Sequence, residues 1–233
     1  MIDAKALLDR FLGAGTADRA AGAITSADRS LAGMGVPGGL AGAAAGAGLL
    51  ALLVGGRAGT VARYGGAAAL GALAHRAWQS WQQGRAVPTA PPQPAEIDAT
   101  DARFLPHAAT GADGQPFALA LIRGMIGAAK ADGHVDAEES RRIVEAVERS
   151  GLGAEEKAAI LQAMNAPSDP AAIAAAAATP EQAAELWLAA RLAATPDHPA
   201  ERAFLDALAQ RLNLDPGLRA ALESQAAAAQ AGG

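Results

Sequence analysis

From Ser30 to Gly56 the chain runs for 27 residues without a charged side chain. The hydrocarbon core of a bilayer takes about 20 mostly apolar helical residues to cross. No other feature constrains the fold as much, because such a run must either enter lipid or be covered by protein. From Glu96 onward the chain has the opposite character, Ala-rich and acidic.

Within it Val36 to Gly56 is the membrane candidate, with the strong apolar residues Val36, Leu40, Leu49, Leu50, Leu52, Leu53 and Val54. Together they contribute roughly −2 to −4 kcal/mol on an insertion scale. Each interior glycine weakens a helix by about 1 kcal/mol relative to alanine. A lone helix would therefore insert only marginally. Gly38, Gly42 and Gly46 recur at every fourth position and line one helix face with small residues. Such a face lets a second helix approach closely in lipid. This spacing predicts helix packing through those three glycines, with a homo-oligomer as one form of it.

Tyr64 to Ala74 is a second uncharged run, closed by His75, Arg76, Trp78 and Trp81. Tyr and Trp favour the headgroup level. Residues 36–83 are therefore expected to be membrane-associated. They form either a helical hairpin from which Arg76 snorkels outward, or one spanning helix followed by an interfacial helix. Arg57, Arg63 and the basic residues between 5 and 29 favour a cytoplasmic C-terminal half. The alternative is a Gly/Ala-rich helical hairpin buried inside a soluble protein, or a flexible tract.

Charge is distributed unevenly. Residues 29–95 hold five arginines and no acid, whereas residues 96–233 hold 11 basic and 20 acidic residues. The basic middle suits anionic lipid headgroups. The acidic end would repel nucleic acid, whose binding depends on neutralising phosphates, so a nucleic-acid partner is excluded. The absence of cysteine removes disulfides, iron–sulfur clusters and thiol nucleophiles.

The remaining segments follow from composition and periodicity. Residues 1–35 read as an amphipathic helix (Ile2, Leu7, Leu8, Phe11, Leu12) followed by a Gly-punctuated stretch. Residues 84–115, rich in proline, read as an extended linker. Residues 116–224 carry helical periodicity throughout, with Ile143, Val144 and Val147 inward on one helix and Leu186, Trp187 and Leu192 on another. Asp169-Pro170, Thr179-Pro180 and Asp215-Pro216 are expected helix starts. Residues 225–233 read as a fraying tail. The expected fold is all-α, with a compact bundle of six or seven helices after the linker.

One constellation carries possible chemistry. Asp132, Asp136 and Glu139 cluster in a tight turn between two helices, around Gly133 and His134. Clustered oxygen ligands are what a hard cation wants. A degenerate copy follows at Asp197, His198 and Glu201, and aligning Glu139 with Glu201 also aligns Ile143 with Leu205. Two such helix–turn–helix units would pack about a pseudo-twofold axis and pool the five acids, with His134 and His198 as nitrogen ligands. Capping explains the same residue types: Gly133 suits a helix C-terminus, Asp136 and Glu139 a capping box, Asp197 or His198 an N-cap. No phosphate loop, His-Glu-x-x-His or nucleophile elbow occurs, and no strand precedes any Gly-rich run, which rules out a dinucleotide fold.

The stretch AAKADGHVDAEESRRI, with the later DHPAERAFLDALAQRLNL, resembles the tellurite-resistance TerB-like helical domain family. With RYGGAAALGALA and the Pro-rich stretch, the layout over residues 36–224 looks like its membrane-anchored branch, the YebE-like bacterial inner-membrane proteins. The resemblance implies two helix–turn–helix repeats held at the inner membrane, a link to metal or envelope stress, and no catalytic activity. Its acidic positions match Asp132, Asp136 and Glu139, while Thr195 stands where the second turn calls for an acid. The expected function is a non-enzymatic, membrane-tethered module that binds a partner protein and a divalent cation at the acidic turns. A structural scaffold without metal is the alternative. A metal-dependent enzyme is the third class.

Overall fold

The computed structural model describes residues 2–12, 49, 67–133, 137–194 and 198–231. Among these, the regular elements are ten α-helices and one 3-10 turn, and the only extended pairing is a bridge between Thr110 and Pro116. The helices are α1 (Ala4–Leu12), α2 (Ala67–Gln82), α3 (Pro94–Asp98), α4 (Phe117–Ala129), α5 (Ala137–Arg149), α6 (Ala154–Asn165), α7 (Pro170–Ala174), α8 (Pro180–Ala193), α9 (Pro199–Arg211) and α10 (Pro216–Ala231); the 3-10 turn is Ala102–Phe104.

Local sequence sets the helix starts. Asp169 accepts a hydrogen bond from the Ala171 amide at 2.9 Å, and Thr179 one from Gln182 at 3.2 Å. Asp215 accepts from Gly217 at 2.8 Å and from Leu218 at 3.2 Å. Each of these three residues is followed by a proline whose fixed φ suits the first helical position. The capping box at Thr179 differs in detail from the expectation. Gln182 reaches past the cap to accept from the Ala178 amide at 2.7 Å, and its amide donates to the Thr110 carbonyl at 2.9 Å.

The core is built around α8, which is buried from Glu181 to Ala193 and packs against α4, α2, α9 and α10. Leu186, Trp187 and Leu192 face inward as the periodicity requires, as do Ile143 and Val147. Val144, expected inward, is 40 % exposed. Helix α5 buries one narrow stripe, Ile143 and Val147 among its described side chains, and Val144 stands 100° off it, whereas α8 is covered all round and takes Leu186 and Trp187 together.

The N-terminal helix is not a separate segment. Leu7, Leu8, Phe11 and Leu12 are buried in the same core as α4 and α8. The backbone amide of Asp3 donates to Glu156 at 3.2 Å, and Arg10 donates to the Ser150 carbonyl. Asp9 accepts from the Ala67 amide at 3.4 Å, which fixes α1 beside the start of α2.

The part of the second uncharged run that is described lies in α2, which packs on α10 and α8. Leu70, Leu73 and Ala74 belong to the protein core. Arg76 does not snorkel toward headgroups; it donates to the Ala90 carbonyl at 2.6 Å and pairs with Glu96 at 2.5 Å. Trp78 packs edge-on against both Trp81 and Phe104, with centroids 5.3 and 5.8 Å apart. These aromatics therefore close a protein interface. Among the described residues no helix is long and apolar enough to cross a membrane. Gly38, Gly42, Gly46 and nearly all of Val36–Gly56 lie outside the described residues; Leu49 is described, helical, and 6 % exposed in the common core.

The Pro-rich stretch is anchored to the bundle. Phe104 is fully buried, stacked on His75 with centroids 5.1 Å apart. Gln225 of α10 donates to the Pro88 carbonyl at 3.1 Å. Of the expected fraying tail, residues 225–231 are described and belong to α10, with Ala226 and Ala229 buried. Composition misleads at both places. Proline forbids regular hydrogen bonding but not packing, and alanine buries without an apolar signal of leucine strength.

Candidate functional site

The first turn follows α4. Lys130 caps the helix, and its Nζ donates to the carbonyls of Met164 and Ala166 at the end of α6, the latter at 3.1 Å. Burial pulls the Lys130 ammonium pKa below its ordinary value. The Gly133 amide donates to the Lys130 carbonyl at 2.9 Å, with Gly133 at φ +76°, a region open to glycine and strained for other residues. Lys130 and Gly133 thus fix the backbone on either side of Asp132.

The second turn joins α8 to α9. His198 occupies the N-cap position of α9, but its side chain makes no capping hydrogen bond. The capping role expected of it is absent, which leaves the imidazole available for other contacts. Glu201 lies in the first turn of α9 and is only 6 % exposed. The positive end of the helix dipole favours a carboxylate there.

The two turns converge. One carboxylate oxygen each from Asp132 and Glu201 and one ring nitrogen of His198 all lie within 4.8 Å of one another. Glu201 forms the buried end of the group, Asp132 is half-buried and His198 is exposed. Metal–ligand bonds of about 2.1 Å would bring such atoms to roughly 3.4 Å apart, a change within reach of small side-chain rotations. Two oxygens and one imidazole nitrogen suit a divalent transition metal better than calcium, which prefers six to eight oxygens. Of the other expected ligands, His134, Asp136 and Asp197 lie outside the described residues, as does the side chain of Glu139, whose backbone belongs to α5.

Sequence reasoning missed a buried acid. Glu185 sits mid-helix in α8, fully buried, and neither carboxylate oxygen has a hydrogen-bond partner among the described residues. Burial pushes its carboxyl well above the usual range, and nearby Glu181 adds to the shift. Glu181 is itself paired with Arg103 at 2.5 Å. An acid in an Ala-rich helix reads as a solvent-facing position, and nothing local marks it otherwise.

The chain matches the family described as "Protein of unknown function (DUF533)" over residues 39–226. It is also 28 % identical over 103 residues to the "Uncharacterized protein in ampR 5'region" of Yersinia enterocolitica, an alignment covering 44 % of this chain and 74 % of that one. No solved structure matches the chain.

Proposed function

We propose, from the premise that this chain belongs to the DUF533 family, that it is a non-enzymatic helical interaction module whose two inter-helix turns share one divalent cation. One observation supports this above the others: Asp132, His198 and Glu201 reach a common point from turns distant in sequence. A cation held there links the end of α4 to the start of α9. Its release would let the turns part and change the surface offered to a partner protein. The setting that fits is a response to metal or envelope stress. The TerB-like reading rests on residues 36–224, nearly the stretch of the family match. The YebE-like inner-membrane branch is the finer assignment put forward with it.

Calorimetric titration of the full chain with Mn²⁺, Zn²⁺, Ca²⁺ and Mg²⁺ tests the cation. Heat is expected from a transition metal and is lost in an Asp132→Asn/Glu201→Gln variant. No heat from the wild type, or equal heat from the variant, removes the cation and leaves a metal-free scaffold.

The membrane tether is the second part of the proposal. The Asp9–Ala67 hydrogen bond brings the two ends of segment 13–66 together. Insertion of that segment in lipid would have to enter and leave on one face, which favours a hairpin over a single crossing. The burial of Leu49 in the common core favours the opposing reading, in which the uncharged run is covered by the bundle. Carbonate washing of cell membranes separates the two: retention of the full chain supports the tether, and quantitative release supports the covered run.

A further inference from the structure

A cleft of about 480 Å³ opens between α8, α9 and α10, and none of its lining residues belongs to the turn cluster. Its base is apolar. Trp187 and Leu205 lie beneath it, 0 % and 4 % exposed, with the Trp187 indole N–H spent on the Leu205 carbonyl at 3.1 Å, so the apolar surface the cleft offers comes from the exposed Pro216 and Ala220.

Three guanidinium groups line the same cleft, in a protein whose net charge is −5. Arg191 is nearly buried, and its Nε lies 2.8 and 2.9 Å from the two Glu223 oxygens, while its Nη1 donates to Gln230 at 3.2 Å. Arg219 pairs with Asp206 and lies 5.7 Å above the Trp187 ring. Arg202 is exposed and has no ion pair among the described residues. The lining therefore carries three cations against two carboxylates. The two paired arginines are held in fixed orientation, which lowers the ordering cost of presenting their donors.

Stability alone is a weak reason for this arrangement. The Arg191–Glu223 pair buries the arginine but leaves the Glu223 side chain 46 % exposed, and a pair open to water on one side contributes little to stability. The volume falls within the range of ligand pockets, which combine an apolar floor with a few placed polar groups.

We infer that this cleft binds a small amphiphilic organic anion, its carboxylate or phosphate head against Arg202 and Arg219 and its apolar body on Pro216 and Ala220. The binding is independent of the cation proposed at the turns.

The test titrates the full chain, in the presence of EDTA, with 1-anilinonaphthalene-8-sulfonate, one sulfonate on an apolar body. Octanoate and octyl phosphate serve as competitors, with octanol and inorganic phosphate as body-only and head-only controls. Saturable one-to-one binding is expected, displaced by octanoate or octyl phosphate at least tenfold more effectively than by either control; the better of the two identifies the head group. Arg202→Glu, a surface change that leaves the core intact, is expected to weaken binding at least tenfold. An unsaturable probe, equal competition by octanol or by inorganic phosphate, or unchanged affinity in Arg202→Glu overturns the inference. Because EDTA is present throughout, failure here says nothing about the turn cation, and success does not depend on it.

Discussion

The backbone carbonyl of Phe104 occupies the space where a side chain on Gly71 would be. Helix α2 thus meets the 3-10 turn backbone to backbone, and Phe104 is seated in the core as a result. Gly71→Ala forces the carbonyl to move and is expected to destabilise the fold by about 1 to 3 kcal/mol, the usual cost of overpacking. Urea denaturation of the full chain measures it. A stability equal to wild type would mean that residues 84–116 are not held as described.

Glu185 predicts the pH dependence of stability. Its carboxyl is raised in the folded state by burial, so the folded protein favours the protonated form. In the unfolded chain the group ionises near the ordinary value of 4.5. Its contribution to stability is thus fully present below that value and falls as pH rises toward the folded pKa. Glu185→Gln removes this dependence. The variant is expected to match wild type most closely near pH 4 and to exceed it by a growing margin toward pH 8, read as melting temperature across that range.

The turn cluster predicts a thermal effect. A cation present at one hundred times its Kd stabilises the folded state by about 2.7 kcal/mol. For a chain of this size that is a rise of roughly 5 to 11 °C in melting temperature. EDTA reverses it, and His198→Ala should cut the shift for Zn²⁺ more than for Mg²⁺, because imidazole suits the softer ion. Equal loss for both ions would take the histidine out of the coordination shell.

The placement of α1 is tested by truncating its core side chains. Leu8→Ala and Phe11→Ala each remove a fully buried group and should cost about 2 to 5 kcal/mol. If α1 were a detached N-terminal helix, both changes would be nearly silent in chemical denaturation.

Much of this architecture was legible wherever the signal is local. Asp169, Thr179 and Asp215, each before a proline, mark their helices correctly because a cap and its proline act within four residues. That Asp132, His198 and Glu201 lie near one another follows from the second turn repeating the first in outline and from the packing of α4 against α8. What failed was partnership at a distance. The amphipathic stripe of α1 states that one face needs cover but not which helix supplies it. The uncharged run continuing into α2 has the composition of a membrane segment, and only the tertiary contacts of Leu70, Leu73 and Trp78 show where the described part is covered. Arg191, Arg202 and Arg219 come from three helices, so no window of sequence reveals their shared cleft.

Helix α8 has almost no solvent face, which makes it the axle on which the other helices are mounted. Its amides should be the last to exchange with deuterium, opening only when the entire molecule unfolds. Among the described helices α4 comes nearest to it, with only Arg123 and Ala129 short of full burial, and should exchange next. Mutational tolerance should fall in the same order, with α8 accepting the fewest replacements of any element.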